Sequence, residues 1–326
     1  MATRIYVTQP LAEPGFSRIK ALGDVRSFPK TAQIAPKQDV IEGVRDAEVL
    51  CCLLQDSIDV EVLDAAKNLR LIVTGAINPM NLDMARASAR GIAVTGIPNL
   101  VAETTADLEW SLLMSVARRI VESDNELRRG VFPGSQSVHF AGAQVYGRTL
   151  GTIGFGAIAQ GIARRAHGFG MKVLYSKPHR LDEATEREFG VEYRSFDDLL
   201  RESDYVCLNA TYTPQTHHLI SARELGLMKE SAFLVNASRG PMVDEAALVE
   251  ALKAQKIRGA ALDVFEYEPK VAPELLQMEN VVLTPHLGSA TLEMRQAISA
   301  VMADNLEAFL AGKELPNLIN GAQLSR

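Results

Sequence analysis

The sequence predicts an α/β protein with two doubly wound parallel-sheet domains, one inserted into the other. Three observations support this fold class. Short β-rich runs alternate with helical patterns in two series, one in residues 4–95 and one in residues 149–284. The stretch TLGTIGFGAIAQG, which starts at Thr149, is typical of a strand, a tight turn and a helix start. A final helical pattern at 292–310 follows the second series, and we expect it to return to the first domain.

The first series predicts strands at 4–8, 48–54, 69–74 and 92–95, with helices at 17–22, 60–66 and 82–89. Such alternation is typical of a parallel sheet with helices on both faces. We therefore expect a discontinuous first domain, residues 1–99 and 288–326. Residues 100–287 would then form the second domain, and the two crossings between the domains would form a hinge.

A long helical pattern spans 101–129, and a Gly- and Ser-rich stretch follows it at 130–147. The helical pattern is longer than a surface helix of one small domain needs, and the stretch after it has the character of an extended arm. The sequence thus predicts a hinge helix that packs, together with the arm, against a second copy of the chain in a homodimer.

The second series predicts about six strands, at 149–153, 172–175, 205–209, 233–236, 259–263 and 281–284, with helices that include 157–169 and 245–253. The first strand runs into Gly154-Phe155-Gly156. The first glycine allows the turn, and the second lets a pyrophosphate approach the free N–H groups of Ala157 and Ile158. An ordinary strand–helix turn is the alternative, but a strand before the glycines and a helix after them favour dinucleotide binding.

The second strand of this series ends in residues that bear on which dinucleotide is bound. In NAD-selective folds an acidic side chain about twenty residues past the glycines accepts the ribose hydroxyls. The segment VLYSKPHR at 173–180 contains no carboxylate, and Ser176, Lys177 and Arg180 are able to donate to a 2′-phosphate. The pattern favours NADP over NAD, and a solvated basic loop is the alternative.

Three polar residues stand beyond late strands of the second series. Arg239 follows FLVNAS, Glu268 closes GAALDVFEYEP together with the proline after it, and His286 follows VVLTP. Loops at the carboxyl ends of parallel strands line one crevice, so we expect the three side chains to meet. Arginine binds a carboxylate in bidentate fashion, histidine exchanges a proton near neutral pH, and glutamate orients the imidazole and favours its protonated form. Each residue alone has an ordinary structural interpretation; together they predict a catalytic set.

The composition excludes several classes of partner. A net charge of −6 over 326 residues provides no basic field for nucleic acid or an anionic membrane surface. No run reaches the roughly 18 apolar residues of a membrane span, and the N-terminus has no apolar signal segment. The cysteines Cys51, Cys52 and Cys207 lie in apolar runs, which predicts reduced thiols in a cytoplasmic protein. The six histidines are scattered, so no metal site is expected.

Longer stretches of the chain resemble a known family. GRTLGTIGFGAIAQGIARRA, LVNASRGPMVDEAALVEAL, GAALDVFEYEP and NVVLTPHLGSAT are similar to signature segments of the D-isomer-specific 2-hydroxyacid dehydrogenases, and the similarity extends over nearly the whole chain. The chain is most similar to the glyoxylate/hydroxypyruvate reductases of that family. The resemblance implies a Rossmann dinucleotide-binding domain inserted in a flavodoxin-like substrate domain, and NAD(P)H-dependent reduction of a small 2-keto acid to the D-2-hydroxy acid.

The resemblance also implies roles for individual positions. Arg239 would bind the substrate carboxylate and polarise its keto group, His286 would be the acid/base, and Glu268 would pair with it. Asp263 would lie by the nicotinamide carboxamide and Thr105 would face the nicotinamide. Further residues expected to line the cofactor are Ala210, Thr211, Ala237, Ser238 and Gly288. Backbone groups of the loop after the third strand of the first domain would hold the substrate carboxylate, at Gly75, Ala76, Ile77 and Asn78.

The chain departs from the family pattern in three places. Asn78 and Met80, beside an added proline, replace the usual glycine and aspartate of the substrate loop. The arm lacks the tryptophans often found there, and Lys177 replaces the usual acid. Two other functions remain as alternatives. A phosphite-type dehydrogenase on the same scaffold is expected to have a lysine where this chain has Ile77, and a non-enzymatic dinucleotide-sensing corepressor could retain the catalytic set.

Overall fold

Two parallel sheets organise the chain, one in each of the two units into which the computed structural model divides. The structure describes residues 2–324. The first unit comprises residues 1–100 with 290–326, and the second comprises residues 101–289. These boundaries lie within two residues of the predicted domain limits. The family fold class predicted from the sequence, two doubly wound parallel-sheet domains, is confirmed.

The strands in chain order are β1 (Thr3–Val7), β2 (Gly23–Ser27), β3 (Val49–Cys52), β4 (Leu71–Thr74), β5 (Ala93–Thr95), β6 (Thr149–Ile153), β7 (Lys172–Ser176), β8 (Val191–Tyr193), β9 (Tyr205–Leu208), β10 (Phe233–Asn236), β11 (Gly259–Leu262) and β12 (Val281–Leu283). The α-helices are α1 (Gly15–Ala21), α2 (Lys37–Val44), α3 (Val60–Ala65), α4 (Met84–Ala89), α5 (Ala102–Arg118), α6 (Ile120–Arg128), α7 (Ala157–Gly168), α8 (Glu183–Phe189), α9 (Phe196–Glu202), α10 (Ala222–Leu227), α11 (Glu245–Lys253), α12 (Leu292–Leu310) and α13 (Gly321–Leu324).

The first unit contains a five-stranded sheet in the order β2-β1-β3-β4-β5, with all neighbours parallel. Strands β3 and β4 are buried along their whole length, because helices cover both faces, so each is a continuous apolar run. The end of the chain returns to this sheet. Asn320 accepts a hydrogen bond from the N–H of Val94 and donates to the carbonyl of Ile92 at 2.9 Å each, which closes the discontinuous unit.

The second unit contains a seven-stranded parallel sheet in the order β12-β11-β10-β9-β6-β7-β8. One apolar core packs α5 and α7 on one face, and a second core packs α9, α10 and α11 on the other. The direction of strand addition reverses between β6 and β9. In a doubly wound sheet the ligand crevice opens at the carboxyl ends of the strands on either side of this reversal.

The structure corrects the predicted elements in four places. The pattern at 101–129 forms two helices instead of one, because Arg119 has a left-handed backbone (φ 54°) that ends α5 and starts α6. The strands β2 and β8 and the helix α2 were not predicted. Strand β2 (GDVRS) is polar and half exposed, and only the first of the three residues of β8 is buried, so neither shows the apolar run of a buried strand.

Candidate active site

The glycine turn after β6 has no room for a side chain at Gly154 and opens onto free space at Gly156. Gly154 has φ 93°, and a Cβ there would lie 2.6 Å from the carbonyl oxygen of Asn209 at the end of β9. Gly156 is the N-cap of α7, no side chain caps that helix, and a Cβ at 156 would meet no atom within 4 Å. The N–H groups of Ala157 and Ile158 therefore face open space at a helix N-terminus, an arrangement that fits a pyrophosphate.

Segment 173–180 at the end of β7 has no acidic residue of its own, but Glu186 of α8 lies next to it. Ser176 is buried and Lys177 is half buried, whereas Arg180 is exposed and donates two hydrogen bonds of 2.8 Å to Glu186 of α8. The hydroxyl of Tyr175 also donates to Glu186 at 2.6 Å. These bonds, from Arg180 first, lower the pKa of Glu186 to about 2. Arg180 is thus already paired with an acid, and Lys177 is the cation of this segment without one among the described residues.

The ends of β9 and β10 are joined by short polar contacts. The hydroxyl of Ser238 donates to the carbonyl of Ala210 at 2.8 Å, and the N–H of Ser238 donates to the side chain of Asn236 at 3.0 Å. Asn236 in turn donates to the carbonyl of Arg239 at 3.1 Å. The predicted cofactor residues Ala210, Thr211, Ala237 and Ser238 therefore lie along two adjacent strand ends beside the glycine turn.

Arg239 and Glu268 approach each other at the ends of β10 and β11. The guanidinium of Arg239 is half buried, and within residues 2–324 its hydrogen bond is the one to the carbonyl of Ser238, at 2.7 Å. Burial lowers the pKa of Arg239, and the charge of Glu268 acts in the opposite direction. The remaining N–H groups of the guanidinium are therefore available to an anionic ligand.

His286 and Glu268 form a hydrogen-bonded pair. Nδ1 of His286 lies 2.9 Å from Oε2 of Glu268, and the two side chains are 20% and 28% exposed. Oε1 of Glu268 accepts from the N–H of Phe265 at 3.1 Å, which fixes the carboxylate. A carboxylate on Nδ1 keeps the proton on that nitrogen, so Nε2 is the atom left for proton exchange with a ligand.

Asp263 holds the segment that carries His286. Its carboxylate accepts from the hydroxyl of Thr284 at 2.6 Å and from the N–H groups of Leu287 and Gly288 at 2.7 and 3.0 Å. His286 itself has a left-handed backbone (φ 58°). Such a conformation in a residue other than glycine persists only where the surroundings hold it. The burial of Asp263 raises its pKa, and its predicted contact with the nicotinamide stays a prediction.

Thr105 of α5 lies against the same segment. The hydroxyl of Thr105 donates to the carbonyl of Gly288 at 3.3 Å. A Cβ at position 288 would lie 3.2 Å from the hydroxyl oxygen of Thr105 and 3.6 Å from the carboxylate of Asp263. The structure thus brings Thr105, Asp263 and Gly288 together at the ends of β11 and β12, and their contacts with the nicotinamide stay predictions.

Sequence reasoning missed a buried polar cluster below the glycine turn. Glu109 of α5 is fully buried, and Oε2 accepts from the side chain of Asn209 at 2.8 Å. Oε1 of Glu109 and Oδ1 of Asn209 have no protein partner. Burial raises the pKa of Glu109 to about 8, despite hydrogen bonds from Asn209 and the thiol of Cys207. The available signal was an acidic residue on the apolar face of a helix.

In the first unit, the predicted substrate loop follows β4. The N–H of Gly75 donates to the carbonyl of Cys52 at 3.0 Å, so this donor is not available to a ligand. Within residues 2–324 the N–H groups of Ala76, Ile77 and Asn78 have no protein acceptor. The side chains of Ile77 and Met80 are 42% and 48% exposed. The donors for an anion in this loop are therefore those of residues 76–78.

Other sequence predictions concern absences. No helix in the described part of the chain is long and apolar enough to cross a membrane, and residues 2–324 contain no group of three or more potential metal-ligating side chains. Cys51, Cys52 and Cys207 are free and buried. The predicted cytoplasmic location stays a prediction.

Comparison with known proteins gives consistent similarities. Residues 110–288 match the family model described as D-isomer specific 2-hydroxyacid dehydrogenase, NAD binding domain. The chain is 42% identical to a glyoxylate reductase of Thermococcus kodakarensis over 324 residues, which are 98% of this chain and 97% of that protein.

Two solved structures are similar in fold. An NADPH-dependent glyoxylate/hydroxypyruvate reductase from Sinorhizobium meliloti, in complex with NADP and malonate, superposes with a TM-score of 0.79 at 29% identity, covering 99% of this chain and 98% of that one. A D-lactate dehydrogenase from Aquifex aeolicus, complexed with NAD and lactic acid, superposes with a TM-score of 0.80 at 26% identity, covering 97% and 99%.

Proposed function

The chain belongs to the D-isomer-specific 2-hydroxyacid dehydrogenases, NAD(P)-dependent oxidoreductases, and from this premise we propose that it reduces glyoxylate, hydroxypyruvate or a similarly small 2-keto acid to the D-2-hydroxy acid. The observation that carries the proposal is the 2.9 Å pair of His286 and Glu268 at the ends of the strands that also present Arg239. The glyoxylate reductase activity named for relatives of this chain supports the choice of substrate class.

The proposed chemistry assigns one task to each side chain. A bound nicotinamide dinucleotide supplies the hydride. His286 donates its Nε2 proton to the oxygen that becomes the alkoxide, and Glu268 stabilises the imidazolium charge before transfer. Arg239 binds the carboxylate and stabilises the negative charge on the reacting oxygen, because its half-buried guanidinium has N–H groups without protein acceptors among the described residues. The substrate loop of the first unit has its own donors for a carboxylate, the N–H groups of residues 76–78.

We propose NADPH as the preferred cofactor and NADH as the alternative. Lys177 is the principal cation for a 2′-phosphate, since Arg180 already shares its charge with Glu186. Ser176 contributes at most a weaker contact, because it is buried. Solved relatives that contain NADP and NAD both exist, so the proposal depends on the local charges of this chain.

The proposed assembly is a homodimer formed by α5, α6 and the arm. Apolar side chains are exposed along this part of the second unit, at Ile120, Leu127, Phe132, Val138 and Tyr146, with Phe132 and Val138 each 79% exposed. A row of exposed apolar side chains is typical of a surface that another chain covers. Light scattering at several concentrations tests this assembly, and a monomer at all of them would contradict it.

A spectrophotometric panel tests the activity. The purified chain is assayed with NADPH and with NADH against glyoxylate, hydroxypyruvate, pyruvate and a bulkier 2-keto acid, and in the oxidative direction against phosphite. We expect the highest kcat/KM with a two- or three-carbon keto acid and NADPH. Turnover of phosphite, or no turnover of any keto acid, would contradict the proposed reaction, and a tenfold preference for NADH would contradict the cofactor assignment.

A further inference from the structure

The loop that carries Glu268 is tied to the start of α11 by one buried carboxylate. Glu245, the first residue of α11, is 7% exposed, and its two oxygens accept from two backbone N–H groups of that loop. Oε2 accepts from Glu266 at 3.0 Å, and Oε1 accepts from Ala272 at 2.6 Å. One side chain therefore joins both ends of the segment 266–272, and Glu268 lies between them.

The tie is reciprocal. The N–H of Glu245 donates to Oε2 of Glu266 at 3.1 Å, while Oε1 of Glu266 lies 2.8 Å from Nε2 of His218. The side chain of Glu266 is 7% exposed. Burial acts to raise the pKa of Glu266, but hydrogen bonds from His218 and Tyr267 bring it below its ordinary value. Each of the two buried carboxylates therefore accepts from the backbone N–H of the other residue, which offsets part of the free-energy cost of burying their charges.

The hydrogen bonds between Glu245 and Glu266 lie next to the backbone N–H that orients Glu268. Glu266 directly follows Phe265, whose N–H donates to Oε1 of Glu268 at 3.1 Å. The backbone after Arg239 is packed on this point too, because a Cβ at Gly240 would lie only 1.8 Å from the carbonyl oxygen of Phe265. A displacement of residues 265–266 would therefore move the support of Glu268.

We propose that Glu245 and Glu266 are positioning residues for the reaction: their reciprocal carboxylate–amide bonds hold segment 265–272 so that the carboxylate of Glu268 stays on Nδ1 of His286. Neither side chain contacts the substrate in this proposal. The inference rests on the proposed roles of Glu268 and His286 and adds the residues on which their alignment depends.

The kinetic test uses Glu245→Gln. The amide retains one acceptor and turns its NH₂ towards the second backbone N–H, so one end of the loop is released. We expect kcat with the best keto acid of the panel to fall roughly tenfold or more, since small misalignments of catalytic groups are costly. KM and the Kd for NADPH, measured by cofactor fluorescence, should change less than about twofold, because the substrate and cofactor contacts are unaffected.

The matched control is Asp244→Ala. Asp244 caps the same helix through the N–H of Ala247 at 2.9 Å and accepts from the hydroxyl of Ser221 at 3.1 Å. Its charge reaches Tyr267, but within the described chain it has no hydrogen bond or ion pair to segment 265–272. The cap is lost and the start of α11 weakens. A comparable loss of kcat in both variants at matched loss of Tm would mean that Glu245 only stabilises the helix, and would overturn the proposal.

A second measurement does not depend on activity. A proton on Nδ1 that is hydrogen-bonded to a carboxylate gives a far-downfield proton NMR signal. The signal is assigned to His286 by its loss in His286→Ala. We expect Glu245→Gln to broaden or shift this signal and Asp244→Ala to leave it in place. An unchanged signal in Glu245→Gln would overturn the proposal even if kcat falls. If Glu245→Gln does not fold, Glu266→Gln takes its place with the same expected results. Absence of keto-acid turnover in the wild-type chain would refute the proposed function. The NMR comparison would still test whether Glu245 positions Glu268, because it does not depend on turnover.

Discussion

Replacement of Glu109 by Gln should make the stability of the second unit less sensitive to alkaline pH. Glu109 is fully buried on α5, and burial raises its pKa from 4.5 to about 8. Oε1 of Glu109 and Oδ1 of Asn209 are acceptors without a donor. A proton on the carboxyl, or the NH₂ group of a glutamine, supplies a donor at this place.

The size and sign of the effect follow from proton linkage. Below about pH 4.5 the folded and the unfolded chain both hold the proton, and the carboxyl contributes nothing to the pH dependence. Between about pH 4.5 and 8 the unfolded chain releases it while the folded chain retains it, so the free energy of unfolding falls as pH rises. A pKa raised from 4.5 to about 8, at about 1.4 kcal/mol for each pKa unit, corresponds to a loss of about 5 kcal/mol by pH 8 and little more above it.

The assay is urea unfolding of the apo chain followed by tryptophan fluorescence. The chain has one tryptophan, Trp110, which lies next to Glu109 on α5 and contacts Phe169 at 4.9 Å between ring centroids, so the signal reports on the second unit. Wild type and Glu109→Gln are compared at equal protein concentration from about pH 5 to about pH 9. The free energy of unfolding of the variant minus that of wild type should rise by several kcal/mol across this range.

A difference that stays constant within about 1 kcal/mol over the whole range would refute the reasoning. Glu188→Gln, at an exposed position on α8, is the control for the loss of one carboxyl from the same unit.

Three further outcomes are expected. His286→Ala should lower kcat by roughly 10²-fold or more, the usual size of a general acid contribution, in steady-state assays with the best keto acid. Lys177→Ala should lower kcat/KM with NADPH by roughly tenfold and leave the value with NADH unchanged, because one charge-assisted hydrogen bond to a phosphate is lost. The thiols of Cys51, Cys52 and Cys207 should react with a disulfide reagent only after unfolding, because burial raises the pKa of Cys51 to about 12 and those of the other two well above the ordinary value.

Each of these has a matched comparison. His139→Ala removes an imidazole from the arm and should retain kcat, so an equal loss in both histidine variants would contradict a specific role for His286. Lys172→Ala removes an exposed cation of β7 that pairs with Glu192 at 3.0 Å, and an equal loss with NADPH would indicate a general charge effect. Rapid thiol reaction in the folded chain would contradict the buried cysteines.

The proximity of the three proposed catalytic residues was predictable from the sequence, because a parallel sheet makes distant strand ends neighbours. Arg239, Glu268 and His286 each follow a strand of one sheet, so their meeting follows from topology. The glycine turn is similarly local, since Gly154 and Gly156 lie between adjacent elements. Strand β2 was missed because its residues are mostly polar and half exposed. Helix α2 was missed although Val40, Ile41 and Val44 form an apolar stripe, because the helix has only eight residues.

What the sequence by itself determined is the fold class, the family, the dinucleotide turn and the three strand-end residues, since each depends on local pattern or on the regular geometry of a parallel sheet. Only the tertiary structure decided which polar side chains form hydrogen bonds with each other and with distant backbone groups. Glu109 and Asn209 stand 100 positions apart, Glu186 reaches Arg180 from the next helix, and Glu245 closes a loop 21 to 27 residues away. The charge state of a side chain and its hydrogen-bond partner depend on burial and on the groups packed against it. Those neighbours come from distant parts of the chain, so no short stretch of residues specifies them.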